Sequence, residues 1–150
     1  MAPKTAATAL NPIELRLSGG MMALNRLIMT FQNKRMPVAG LAVGRDGGGM
    51  RATIVLECPP ETARRYAALL AGLEDVEGIE VPEETLEVAL LKTSSDDWRE
   101  AAARAGVEAH EVGGTVVASG DPEKLEEWLG SLEADDIVRL GPVARPGDGG

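Results

Sequence analysis

What most constrains this chain is the way its hydrophobic spacing switches between a period of two and a period near 3.6. The first belongs to half-buried strands and the second to amphipathic helices. Ile13, Leu15 and Leu17 alternate with Glu14 and Arg16, a strand pattern that ends at Gly19 and Gly20. The next apolar residues, Leu24, Leu27, Ile28 and Phe31, fall at i, i+3, i+4 and i+7 and form one helical stripe. Pro37 forbids further helix. Val38 to Val43 reads as a strand, residues 45–49 (RDGGG) as a turn, and Arg51 to Glu57 as the antiparallel partner, with Ala52, Ile54 and Leu56 facing inward. Pro59 and Pro60 open a second helix striped by Ala63, Tyr66, Ala67, Leu70 and Leu73, and Gly78 to Val81 is a short closing strand.

The same order begins again after Pro82. Thr85 to Lys92 reads as a strand, Ser94 or Ser95 as the cap of a helix ended by Gly106, and Val107 to Val112 with Thr115 to Ser119 as a hairpin turning on Gly113-Gly114. Asp121 caps a helix with Pro122 in its first turn and Leu125, Trp128, Leu129 and Leu132 on one face, and Ile137 to Leu140 is the last strand. The expectation is an α+β protein made of two consecutive ferredoxin-like βαββαβ domains, at 13–82 and 83–145. Residues 1–12 read as a flexible leader and 146–150 as a tail.

Charge and composition exclude several functions. A net charge of −9 repels a polyanion, and four aromatic residues (Phe31, Tyr66, Trp98, Trp128) cannot build a base-stacking platform, so nucleic acid is not an expected partner. A single cysteine and a single histidine allow neither an intramolecular disulfide nor a Cys/His metal cluster, and no metal or cofactor is expected. No apolar run approaches the roughly 18 residues of a membrane span, and the first residues lack a signal-peptide pattern, so the expected location is cytoplasmic, without membrane association.

Candidate chemical groups have plainer readings. His110 stands between Glu108 and Glu111 in a strand pattern and reads as a surface histidine. Cys58, ahead of Pro59 at a strand end, reads as a small semi-buried residue. None of the five serines sits in a G-x-S-x-G elbow. The glycine runs at 47–49 and 113–114 lie between paired strands and lack the lysine of a phosphate-binding loop. The acidic run at 126–136 lacks calcium-loop spacing and reads as a solvated face. The chain is expected not to be an enzyme. One feature stands out: Ser18-Gly19-Gly20 leads a strand straight into a helix whose first amides, at 21–23, have no partner within the helix. Such an end favours an anion, the α-carboxylate of an amino acid included, although a plain tight turn also accounts for the sequence.

The segment 15–44, followed by RATIVLE at 51–57, resembles the amino-terminal ACT domain of the acetolactate synthase small (regulatory) subunit family. Ala23, Leu24 and Arg26 match the family's G-A-L-x-R helix start, and Arg51, Thr53 and Ile54 match its R-M-T-I strand. LEVALLK at 86–92 is similar to the family's R-E-L-x-L-I-K strand, keeping Glu87 and Lys92. The helix segment at 119–132 resembles the one after the family's last hairpin, and Arg139, Gly141 and Val143 match its A-R-x-G-x-V ending.

The resemblance implies a non-catalytic subunit without a cofactor, which dimerises side by side through its ACT domains and binds a small amino-acid effector. It would activate and regulate a separate thiamine-diphosphate-dependent large subunit in branched-chain amino-acid biosynthesis. It places the effector against Gly19, Gly20, Met21, Met22, Ala23, Leu24, Pro37 and Val38. The family's loop N-E-S-G-A-L is changed here at Gly19 and Met22, and a second asparagine is replaced by Pro37. Two lost hydrogen bonds to a charged ligand, at about 1.5 to 3 kcal/mol each, weaken binding by roughly a hundredfold or more. Valine, a different effector or none therefore all stay open, as does a stand-alone amino-acid-sensing ACT protein serving another enzyme. An enzymatic rival, a small ferredoxin-like hydrolase of the acylphosphatase kind, would need Arg26 and Asn25 in a loop, and their pattern is helical.

Overall fold

The computed structural model describes residues 8–145. In chain order they form β1 (Ala9–Leu17), α1 (Gly20–Asn33), β2 (Val38–Asp46), β3 (Gly49–Cys58), α2 (Pro60–Ala71), β4 (Val76–Glu80), β5 (Thr85–Lys92), α3 (Trp98–Ala105), β6 (Glu108–Val112), β7 (Thr115–Gly120), α4 (Pro122–Gly130) and β8 (Asp135–Ala144). The chain divides after Pro82 into two compact units. Each holds one four-stranded sheet, ordered β2-β3-β1-β4 in the first and β6-β7-β5-β8 in the second, with every pairing antiparallel. This is the α+β, twice-repeated βαββαβ arrangement that the hydrophobic periods predict.

In the first unit Ile13, Leu15 and Leu17 of β1 and Ala52, Ile54 and Leu56 of β3 form the floor of the core. Helix α1 closes it with Ala23, Leu27 and Phe31, and α2 with Ala63 and Leu70. The predicted stripe of α1 is therefore turned. Ala23, whose short side chain permits close approach, is buried, Leu24 is half-buried, and Ile28 lies exposed. Strand β3 is buried at Thr53 and Val55 as well as at its alternating apolar residues.

Several boundaries differ from the sequence reading. Strand β1 begins at Ala9, so Ala9–Pro12, expected in a leader, pair with β3 from Cys58 back to Val55. The Asn11 side-chain amide donates to the Cys58 carbonyl at 2.8 Å and to that of Leu56 at 3.3 Å, holding a segment with little apolar signal in the sheet. Pro12 is tolerated because β4 pairs with β1 only from Glu14 to Leu17, which leaves an edge beside the proline. The remaining leader residues, 1–7, and the tail, 146–150, lie outside the described residues. Strand β4 starts two residues earlier than predicted and stops at Glu80, leaving Val81 exposed ahead of Pro82. The β2–β3 turn is only Gly47-Gly48. A Cβ on Gly49 would lie 2.6 Å from the Leu17 carbonyl oxygen, so the third glycine lets β3 approach β1.

The second unit packs Ala89 and Leu91 of β5 and Val116 and Ala118 of β7 against Trp98 of α3 and Leu125, Trp128 and Leu129 of α4. The Trp128 Nε1 donates to the Trp98 carbonyl at 3.2 Å, satisfying the indole inside the core. Asp121 caps α4 as predicted, accepting from the amides of Glu123 and Lys124. The Ser95 hydroxyl accepts from the Asp97 amide just ahead of α3, whose own cap position is Asp97. Gly113 and Gly114 both have positive φ, 56° and 83°, as a primed hairpin turn requires. Strand β8 runs from Asp135 to Ala144, well beyond the predicted Ile137–Leu140, because register shifts let it follow β5 past Gly141.

Candidate functional site

The junction of β1 and α1 lies at one end of the first sheet. Gly19 (φ 95°) and Gly20 (φ 66°) turn the chain through the left-handed region into α1, and no side chain caps the helix. The segment is stitched to the residues before β4. The Ser18 amide donates to the Asp75 carbonyl at 2.9 Å, and Arg26, on the second turn of α1, donates to both Asp75 oxygens, at 2.5 Å from Nε and 3.0 Å from Nη2. The bond from Arg26 holds the Asp75 carboxyl below the ordinary carboxylate range and raises Arg26 in turn. An Oδ1 of Asp75 sits 3.8 Å from where a Cβ of Gly19 would be, so the protein's own carboxylate stands beside the helix start.

Two hollows flank the junction. One, of about 70 Å³, has apolar walls from Leu17, Ala23, Leu27, Leu73 and Val76 and a rim carrying Arg26, Glu74 and Asp75. The other, a shallower and more polar depression of about 320 Å³, lies between the Ser18-Gly19 turn and the Gly48-Gly49 hairpin, with Arg16, Asp46 and Glu77 around it. Asp46 is held there by Arg51, at 3.2 Å.

Of the residues predicted to meet an effector, Gly19 borders the polar depression and Ala23 the apolar cavity. Met21 and Met22 project outward, each 70% exposed. Gly20 leads into the helix and Leu24 packs partly against the core. Pro37 and Val38 are at the other end of the sheet. Val38 pairs with Leu56 whereas Leu17 pairs with Met50, which is six residues along β3, or about 20 Å. Within one copy of the chain, then, the eight residues form two separate groups.

The remaining candidates are placed as follows. His110 is exposed on β6. Cys58 is buried, and burial pushes its thiol up, away from the reactive thiolate. Among the described residues no three His, Cys, Asp or Glu side chains are grouped to hold a metal ion, and no helix is long and apolar enough to cross a membrane.

Two contacts escaped sequence reasoning. Asp75 belongs to a Glu74-Asp75 pair that looks like solvated charge, and only the fold brings it to Arg26, 49 residues away. Glu87 and Arg139, singled out in separate segments, meet in space: Arg139 Nε donates to Glu87 Oε2 at 2.6 Å, and the guanidinium also binds Glu126 of α4. Glu87 is 6% exposed, on the face of β5 shared with Ala89 and Leu91, so the guanidinium satisfies a carboxylate that would otherwise be buried alone.

No protein-family profile matches the sequence, and no curated protein matches it. Among solved structures the chain is similar to the acetolactate synthase small subunit from Thermotoga maritima, with a TM-score of 0.75 and 15% sequence identity, covering 91% of this chain and 96% of that one. At that identity the likeness is one of fold, and it extends over nearly the full length of both chains.

Proposed function

We propose that this chain is a non-catalytic regulatory (small) subunit of acetolactate synthase, acting in the cytoplasm on a thiamine-diphosphate-dependent large subunit in branched-chain amino-acid biosynthesis. The observation that carries the reading is the fold likeness, which covers 91% of this chain and 96% of a synthase small subunit. The ordered motif residues support it, since Glu87 and Arg139, matched to two different family segments, are partners in one ion pair. A subunit of this kind acts by binding one conformation of its partner more tightly than another, with a coupling of about 1 to 3 kcal/mol, and an effector acts by biasing that preference.

The effector-binding residues of this reading are Gly19, Gly20, Met21, Met22, Ala23, Leu24, Pro37 and Val38. Since Pro37 and Val38 are about 20 Å from the junction in one protomer, the set closes only across two copies related by a two-fold axis. Helix α1 supports such a homodimer: Met21, Met22, Ile28 and Met29 leave an apolar stripe exposed on it, and β2 is an edge strand of the sheet.

The test is to mix the purified chain with an acetolactate synthase large subunit and measure both co-elution and acetolactate formation. Co-elution with raised activity is the expected result. Separate elution with unchanged activity rejects the reading in favour of an amino-acid-sensing ACT protein that serves another enzyme, to which the changes at Gly19, Met22 and Pro37 already point.

A further inference from the structure

We propose that the sheet face of the second unit, on the side away from α3 and α4, is the surface that docks the large subunit. The partner surface it fits is aliphatic at its centre and carries lysine or arginine around that centre. The inference rests on the regulatory reading and adds to it where the partner is held.

The strand registers define this face. Ala89 and Leu91 of β5 point into the core, so Leu86, Val88 and Leu90 point to the opposite side, where they stand beside Val143, Leu140 and Val138 of β8. Val117 of β7 extends the Leu90 row. The β5 and β7 residues are half-buried, whereas Val138, Leu140 and Val143, on the edge strand, are 49%, 52% and 39% exposed. An antiparallel sheet packed on one side ordinarily turns polar side chains outward, and a strand aliphatic on both sides has the pattern of one that is covered on both. The fold itself does not require this. On the corresponding face of the first sheet the registers set Glu14 beside Thr53 and Arg16 beside Arg51. An aliphatic face in one unit and a polar one in the other, on the same topology, marks the aliphatic face for an interaction.

Size and charge select the occupant. Three strands about 4.8 Å apart, with rows from Leu86 to Leu90, give a patch of about 14 by 20 Å, roughly 300 Å². A stable protein pair buries about 800 Å² on each side, so this patch is the centre of a contact whose remainder is its rim. The rim is acidic. Glu108 of β6 ends the row of Ser119, Val88 and Leu140, and Asp135 and Asp136 open β8, with Lys92 beside Asp135. The unit as a whole is acidic too: residues 83–150 hold six Lys and Arg against sixteen Asp and Glu, net −10, while residues 1–82 hold nine against eight, net +1. Two second units brought face to face repel each other, which disfavours a second copy as the occupant and favours a different protein with a cationic rim. The apolar stripe on α1 assigned to the homodimer belongs to the first unit, so the two surfaces are distinct.

The test measures the affinity of the full chain for the purified large subunit by calorimetry, with the mass of the chain alone followed by sedimentation. The parent should bind at least fivefold more weakly when KCl rises from about 50 to about 300 mM, as opposite charges across an interface require. Val138→Thr with Leu140→Thr, which keeps strand-forming residues but removes the apolar centre, should weaken binding at least tenfold while the circular dichroism spectrum and the mass of the chain alone stay those of the parent. Glu108→Lys with Asp135→Lys should weaken it at least fivefold. Glu100→Lys with Glu127→Lys, on α3 and α4, changes the net charge equally and should leave it within twofold. Binding by the double threonine variant as tight as the parent's, or parent binding that does not fall with salt, overturns the proposal and leaves the regulatory reading standing. A changed mass of the chain alone in the threonine variant overturns it in favour of a contact between copies. A parent chain that does not bind the large subunit at all overturns both, so the two failures are distinguishable.

Discussion

Gly49→Ala tests how closely β1 and β3 meet at the site. The added methyl carbon would be 2.6 Å from the Leu17 carbonyl oxygen, where ordinary contact begins near 3.4 Å, so one strand must move by about 0.8 Å. The obstacle is backbone in the centre of a sheet, paired on the other side to β4 at Val76, and cannot rotate away as a side chain would. Overpacking of this kind costs about 1 to 3 kcal/mol. For a unit of this size that is a fall in Tm of about 5 to 20 °C. Gly48, the neighbouring residue, has nothing within 4 Å of its Cβ position and φ outside the positive range, so Gly48→Ala should stay within about 0.5 kcal/mol of the parent. The assay is urea unfolding of the three proteins followed by circular dichroism. If both variants lose the same stability, or if Gly49→Ala loses less than about 0.5 kcal/mol, the close approach is not what requires glycine.

Three further outcomes follow from the same geometry. The Asp75 carboxyl titrates below its unfolded value because of Arg26, so the pair contributes stability above about pH 4 and loses it as pH falls through the folded value; Asp75→Asn should therefore flatten the acid limb of a stability-against-pH curve and leave its alkaline limb unchanged. Arg139→Met leaves Glu87 buried without its guanidinium and should cost about 2 to 3 kcal/mol, less than a fully enclosed pair because Arg139 is partly exposed; Glu87→Gln in the same chain should restore part of the loss in denaturant titrations. Asp121→Ala removes the acceptor for two amides at the start of α4 and should cost about 1 kcal/mol, read by tryptophan fluorescence because Trp128 lies on that helix.

The strand and helix pattern was legible because each element announces itself through neighbours a few residues apart. Asp121-Pro122 and Gly113-Gly114 were legible for the same reason, since a cap and a primed turn depend on two or three successive residues. The misread places are those where packing overrides local signal. Asn11 reaches across to β3 to hold a stretch with no alternation, and α1 rolls onto Ala23, which leaves Ile28 outside. The candidate site was legible only in part. Glycines 19 and 20 mark the junction in the sequence, but Asp75 has no pattern around it, and nothing local places Pro37 at the far end of the sheet.

Apart from the start of β1, the kinds of element and their order can be read from the residues alone, because hydrophobic period, caps and turn residues act over about two helical turns. Which side chains meet, by contrast, depends on how distant segments pack. Arg26 finds Asp75 across 49 residues and Arg139 finds Glu87 across 52, through strand registers that depend on the whole sheet. The same registers keep Val38 six residues along β3 from Leu17. Such registers come from many apolar contacts closing together, and no short window of residues contains them.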